Sequence, residues 1–580
     1  MAQSRSNSNN NQWSNIIFLM NVKKHILTIV WAIIVACLVT ICVVKYMTLS
    51  YNLHSVYDEG FFYVTSVFAH QPIADTQPLT LAQDAINTLV PNIEQYDVLA
   101  LRQYGFWAKC ISLIFLIGCS CLLIYHRYKE KKLHIYLALI ASYLLFGTVL
   151  LPGDLFNMND VILILVTIAF SLCLLSSIAS QWLKHIVVSL IGIVSMFTLL
   201  CNLPAGCMMI ALCGLFIILD DGYSHKKLLF TSLFGLLGLT IGLCLTHLFV
   251  ISLQDCFEFL QKGIVQTTNG GRASHHSLSK VILVIFFGIR DLTITTLLLC
   301  GITYICRICQ QRFNKDWLTI LLSIIGFVII YQWQVKPKMT IACVLCWFTI
   351  MFLEYHLKNK ALNTKELLLI LFSFVMPIGV VFGTNTSIIS KALACGTPWG
   401  LLIFYLCYKS RPEVHKYAVC GFIVIACCIL NSVNFSLLIN KQEKLHFEAE
   451  RPIARMNLSH NQKAFYEEVH TILSKYGYKG KQDTLLGFCF NEMTVVAMDA
   501  IPYTNDQQPE EFLLHDLENL PYPKYMILSE WDSIVLYDRL LKLNWDFPVA
   551  YDYYKLENNP DPNSGYNMTQ SMIYCRKQCN

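Results

Sequence analysis

The chain has 580 residues, of which 55% are hydrophobic and only 14% are charged. A soluble protein of this length would carry about a quarter charged residues, so the composition excludes a single water-soluble globule and predicts a polytopic membrane protein. The net charge of +5 comes without a basic stripe interleaved with aromatics, which excludes a nucleic-acid-binding role.

Residues 1–25 begin polar and rich in Asn and Ser, a composition that predicts a disordered cytoplasmic segment. They lack the basic start and small-residue cleavage site of a secretory signal, so the apolar run Ile26–Tyr46 reads as a retained spanning helix. Runs long enough to span follow near residues 106, 134, 160, 186, 204, 228, 282, 317, 339, 366, 394 and 417, about thirteen spans in all between residues 26 and 440. Lys and Arg recur after every second run, in "HRYKEKK" (126–132), "HKK" (225–227), "RICQQRFNK" (307–315), "HLKNKALNTK" (356–365) and "YKSRPEVHK" (408–416). Basic loops stay cytoplasmic, so this alternation predicts a cytoplasmic N-terminus and an outer C-terminal tail.

The outer loops are predicted to differ from the inner ones. The first runs from about Leu49 to Tyr104; the second is "LPGDLFNMND" (151–160); a third runs from Ser252 to about Lys280. From residue 441 onward the composition becomes that of one extracytoplasmic α/β domain, 441–580. "MNLSHNQKAFYEEVHTILSKYGY" has helical spacing, while "TLLGFCF", "YMILSEW" and "SMIYCRK" read as short strands. Most of the 24 cysteines lie singly in apolar runs, as small hydrophobes. Cys306 and Cys309 lack the second pair a zinc finger needs. Cys489, Cys575 and Cys579 fall in the outer domain, where Cys489 could pair with either of the others in an oxidising compartment.

The chemistry-bearing stretch is "HSVYDEGFFYV" (54–64). Asp58 and Glu59 sit just beyond the first span, bracketed by Tyr57, Phe61, Phe62 and Tyr63. Aromatics at the interface desolvate a carboxylate, which raises its pKa and makes it a better proton acceptor. In the second outer loop, Asp154 and Asp160 offer further carboxylates, with helix capping as the simpler account of Asp160. Arg290 and Asp291 interrupt the run "VILVIFFGIRDLTITTLLLC"; either they form an intramembrane pair facing a cavity, or the span starts after Asp291. "TTNGGRASHHS" (267–277) is Gly-rich but lacks the spacing of a phosphate loop, and it reads as a loop that orders over a bound ligand.

An acid pair in the first outer loop of a many-spanning protein resembles the GT-C glycosyltransferases, in particular the branch containing aminoarabinose transferase and the protein O-mannosyltransferases. "YDEGFFYVTSVF" is similar to that branch's stretch of Asp, Glu and Tyr leading into a juxtamembrane helix. The resemblance implies a mainly α, GT-C-like membrane domain over residues 26–440. It also implies transfer of a sugar, with inversion, from a polyprenyl-phosphate donor to a lipid, glycan or protein acceptor on the outer face of a bacterial plasma membrane. Asp58 then matches the general base, and Glu59 its neighbour. A departing phosphate needs cations aimed at it. The outer-side candidates are Arg102, Lys262, Arg272, Arg290, Lys336 and Lys338, against the simpler account that the lysines snorkel to headgroups. Asp154 and Asp160 would hold the acceptor or, with Asp58, a divalent cation such as Mg or Mn; no cofactor is otherwise implied. The branch carries a basic residue in the first loop after the acids, whereas here no Lys or Arg occurs between Asp58 and Leu101, which leaves the donor sugar open. The alternatives are a transporter and a flippase or polymerase of lipid-linked glycans. A transporter calls for paired halves and helices broken at mid-bilayer.

Overall fold

The computed structural model describes residues 2–51, 97–150, 156–222, 225–255, 278–313, 337–359, 363–381, 392–409 (except 394), 443–444, 452–487 (except 454), 491–503, 523–529, 549–559 and 571–577, with short pieces between them. Among the described residues, eleven helices form the N-terminal bundle. They are α1 (Ala2–Tyr51), α2 (Val98–Tyr128), α3 (Leu133–Leu150), α4 (Met158–Ser176), α5 (Gln181–Cys201), α6 (Leu203–Asp221), α7 (His225–Phe249), α8 (Leu278–Phe313), α9 (Pro337–Lys358), α10 (Thr364–Gly379) and α11 (Thr397–Tyr408). Eight are long and apolar enough to cross a bilayer; α3 and α11 are shorter apolar helices. Each falls on an expected run. The runs near 317 and 417 lie mostly outside the described residues.

Two boundaries differ from expectation. Helix α1 continues back to Ala2 through the polar segment expected to be disordered. Propagation from a nucleated helix adds one hydrogen bond per residue and tolerates weak helix formers. Helix α2 begins at Val98, eight residues before its apolar run, because Asp97 caps it by accepting from the Ala100 amide at 2.8 Å.

Short polar residues punctuate the bundle. Asn202 ends α5 and caps α6, its Oδ1 accepting from the Ala205 amide at 3.1 Å. Asn363 and Glu366 form a reciprocal capping box at the start of α10. Helices α5 and α7 pack backbone to backbone: a Cβ on Gly238 would lie 2.0 Å from the Ser189 carbonyl, and one on Gly192 would lie 2.5 Å from that of Gly235. Small residues at such a crossing let two helices approach closely without a hydrophobic driving force from lipid. Trp347 on α9 donates to Thr303 on α8 at 2.8 Å, and Cys343 meets Thr295. Those pairs make α8 and α9 parallel, so the chain between Phe313 and Pro337 joins opposite ends of the bundle.

Helices α1, α7 and α8 turn long apolar stripes outward, including Ile29, Leu236 and Leu297. Such continuous exposed apolar surface is what lipid covers. The outward stripe of α2 runs from Trp107 through Ile111, Ile114 and Leu122 to Tyr125. Trp107 and Tyr125 are separated by about 27 Å of helix, close to the thickness of a hydrocarbon core, with an aromatic at each boundary.

The ends of the bundle differ chemically. At one, Arg127 in the last turn of α2 is followed by Lys129, Lys131 and Lys132, and Arg127 pairs with Asp220 of α6 at 3.2 Å. Beside them Glu366 of α10 accepts from Tyr128 at 3.2 Å and pairs with Lys409 at 3.2 Å, while Tyr408 donates to Glu130. At the other end sits the C-terminal α/β unit. Its strands are β1 (Glu443–Lys444), β2 (Asn457–Leu458), β3 (Thr484–Gly487), β4 (Ile501–Pro502), β5 (Tyr525–Ser529), β6 (Tyr551–Lys555) and β7 (Ser571–Arg576). Its helices are α12 (His460–Lys475) and α13 (Glu492–Ala497). The five-stranded sheet has the order β4-β3-β5-β7-β6, with β4, β3 and β5 parallel and β7 antiparallel to both its neighbours. The strands expected in "TLLGFCF", "YMILSEW" and "SMIYCRK" are β3, β5 and β7; β6 was not expected. Burial pushes the Cys575 thiol up to about 12, so it is protonated at neutral pH. Cys489 and Cys579 lie outside the described residues.

Although the composition changes at residue 441, the core does not divide there. Phe465, Val469, Tyr525 and Ile573 of the α/β unit share one buried cluster with Val98, Leu99 and Leu101 of α2, Phe156 and Val161 beside and on α4, and Tyr63, Val64 and Val67 of the first loop.

Gly238→Ala should cost about 2–3 kcal/mol by overpacking the α5–α7 crossing and lower the melting temperature in detergent. Gly214→Ala, where a Cβ meets nothing within 4 Å, should not. Equal melting temperatures for the two variants would mean the close crossing is not formed.

Candidate functional site

The end of the bundle beneath the α/β unit holds buried charges drawn from three helices, α1, α2 and α4. Helix α2 contributes two from its inner face, Arg102 and Lys109, seven residues and two turns apart. Arg102 was expected at the end of the first outer loop; it is instead the fifth residue of α2 and 1% exposed. Its Nη1 donates to the carbonyl of Ser50 at the end of α1, at 2.7 Å. Lys109 is buried and pairs with Asp160 of α4 at 3.0 Å. From α1, buried Lys45 donates to the Thr148 carbonyl in the last turn of α3 at 2.6 Å.

The local sequence explains the convergence. Between Arg102 and Lys109 stands Gly105, where a Cβ would lie 2.8 Å from Phe156 Cβ, so the absent side chain lets the segment before α4 close on α2. Phe106 stacks on Tyr46 of α1, with ring centroids 3.8 Å apart. Asn157 caps α4, accepting from the Asn159 amide at 2.8 Å. The capping offered as the simpler account of Asp160 is therefore done by Asn157, and Asp160 is left to meet Lys109. A carboxylate in the first turn of a helix is also favoured by the helix dipole.

Depth follows from the aromatic boundary on α2. Lys109 lies just inside Trp107, and Arg102 about 7 Å outside it along the helix. Among the described residues, this layer brings together Lys45, Arg102, Lys109 and Asp160, the last two in contact. This arrangement lies at the level of the aromatic boundary on α2. It does not suit a divalent cation at Asp160, because the Lys109 ammonium is in contact with that carboxylate. Among the described residues no three His, Cys, Asp or Glu side chains gather in a metal-ligating group.

Of the residues singled out in the sequence, Arg102 and Asp160 are brought to one layer. Arg290 is not seen to join them: it is exposed on α8, paired with Asp291 at 2.7 Å and lying over the Phe287 ring. Helix α8 is continuous through this pair and its candidate span, Ile282–Ile305, includes it, so the span does not start after Asp291, and the exposed pair faces away from the bundle interior. Asp58, Glu59, Asp154, Lys262, Arg272 and Lys336 lie outside the described residues. Lys338 is in the first turn of α9, but its side chain is outside the description. Lys45 and Lys109 were missed. A lone lysine within a span was the available signal, since an ionisable residue at that depth is rarely accidental.

Lys109→Met should destabilise the protein by about 3–5 kcal/mol, because it removes the ammonium that the buried Asp160 carboxylate contacts. The double variant Lys109→Met/Asp160→Leu should recover most of that loss, as read from thermal unfolding in detergent. A single variant as stable as the parent would show that the pair is not buried.

No family model and no curated protein matches the chain.

Proposed function

We propose that the protein is an inverting, membrane-embedded glycosyltransferase that moves a sugar from a polyprenyl-phosphate donor to an acceptor hydroxyl at the outer face of the membrane. One observation carries this reading: the flanks of the acid-bearing first loop, buried Arg102 and Lys109, and the α/β unit converge on one end of the bundle, at the level of the aromatic boundary. Ser50 and Tyr63, on either side of Asp58 and Glu59, both belong to that end. Asp58 is five positions before Tyr63, a reach of at most about 18 Å. The opposite end carries the basic residues after α2, which supports assigning it to the cytoplasm and the site to the outside. The thirteen-span count agrees with this assignment, since it returns the chain to the outer side before residue 441.

The chemistry divides among the side chains as follows. The Asp58 carboxylate takes the proton from the acceptor hydroxyl as its oxygen attacks the anomeric carbon. The bond from that carbon to the phosphate oxygen breaks, and the lipid phosphate leaves with the electron pair. Arg102 and Lys109 face the growing negative charge in a site of low dielectric, where fixed cations count for most. Glu59 orients Asp58 or the acceptor. Lys262, Arg272, Lys336 and Lys338 remain candidates to cover the donor's phosphate from the later outer loops, and Asp154 to hold the acceptor.

A transporter is the second reading, favoured by the Lys109–Asp160 pair in the bundle interior. It predicts movement of a substrate across proteoliposomes without chemical change.

Mass spectrometry of envelope glycans from cells lacking this protein should reveal a missing sugar. Complementation by the parent should restore it, and Asp58→Asn should not, its rate falling by about 10²–10⁴-fold, as for loss of a general base. Unchanged glycans in the deleted strain would falsify the transferase reading. Full complementation by Asp58→Asn would remove Asp58 from the role of base.

A further inference from the structure

The α/β unit meets the bundle through more than apolar contact. Asp97, which caps α2, is held by a two-pronged ion pair with Arg455: Nη2 donates to Oδ1 at 2.5 Å, and Nε donates to Oδ2. Beside it the Val98 amide donates to the Pro452 carbonyl at 3.0 Å. Asp97 Oδ1 is the atom that also accepts from the Ala100 amide, so one carboxylate both starts the helix and receives the guanidinium. Five residues along, in the second turn of that helix, Arg102 grips the end of α1. The first turns of α2 extend beyond its apolar run, so their position depends on the cap and on the α/β unit packed over Val98, Leu99 and Leu101.

From this chain of contacts we infer that Arg455 is a positioning residue for the site: through Asp97 it sets the first turns of α2 and thereby the place where Arg102 meets the anionic headgroup. The inference rests on the donor reading given above. It makes the α/β unit part of the donor side of the reaction. A planar, two-pronged guanidinium fixes direction as well as distance, which a lysine cannot reproduce fully.

The test uses the full chain in nanodiscs, with undecaprenyl phosphate and uncharged undecaprenol as probes and tryptophan fluorescence as the signal. The parent should bind the phosphate more tightly than the alcohol. Arg455→Ala should weaken phosphate binding by about tenfold and leave the alcohol unchanged, and Arg455→Lys should recover part of the loss. Because the effect runs through Arg102, Arg455→Ala/Arg102→Gln should bind no worse than Arg102→Gln alone. If the parent does not distinguish phosphate from alcohol, the donor reading fails and the inference with it. If the parent distinguishes them and Arg455→Ala does so equally well, or if the two losses add in full, the inference alone is overturned. Should Arg455→Ala not fold, Arg455→Gln is read by the same criteria.

Discussion

The contact between the Lys109 ammonium and the Asp160 carboxylate constrains everything around it. Buried charges need charged or polar company, so this contact ties the register of α2 to that of α4. With that register set, Phe156 falls on Gly105, Asn157 caps α4, and the inner face of α2 carries Arg102 toward the end of α1. A shift of α4 by one residue would rotate Asp160 by about 100° and leave both charges in apolar surroundings. The site's geometry is thus enforced by the cost of breaking one ion pair.

That constraint also explains why the α/β unit and the bundle share a core. The first turns of α2 project past the hydrocarbon boundary and present Val98, Leu99 and Leu101, which need a partner that is not lipid. The sheet, with α12 beside it, supplies one. The opposite end is organised differently, by the Glu366–Lys409 and Arg127–Asp220 pairs and the tyrosine hydroxyls around them. A polar, charge-balanced end and a core-bearing end give the bundle a direction.

Much of the fold was legible because its signals are local. Apolar runs mark spanning helices by length alone. Asn202, Asn363 and Ser459 announce helix starts through residues within three positions of themselves. Helix α12 and strands β3, β5 and β7 were readable by the same logic. The site was less so. Arg102 and Asp160 were named, but for roles conceived in loops, and Lys109 was passed over as one cation among apolar neighbours. Its meaning lies in a partner 51 positions away, and no local pattern encodes such a separation. Strand β6 was missed because "YDYYK" alternates buried and exposed residues weakly, and it is held as a strand by its pairing with β7.

By itself the sequence determined that the chain carries helices long and apolar enough to cross a membrane, where most of its helices run, that an α/β segment follows, and that an acid pair follows the first apolar run. Transfer of apolar side chains out of water and capping of helix ends act within a few residues, so they can be read from a linear string. Only the tertiary structure decided that Arg102 is buried in a helix and not exposed in a loop, that Lys109 answers Asp160, and that the α/β unit closes over the same end. Those outcomes depend on desolvated charges finding partners across the fold, an energy that exists only once the helices have met.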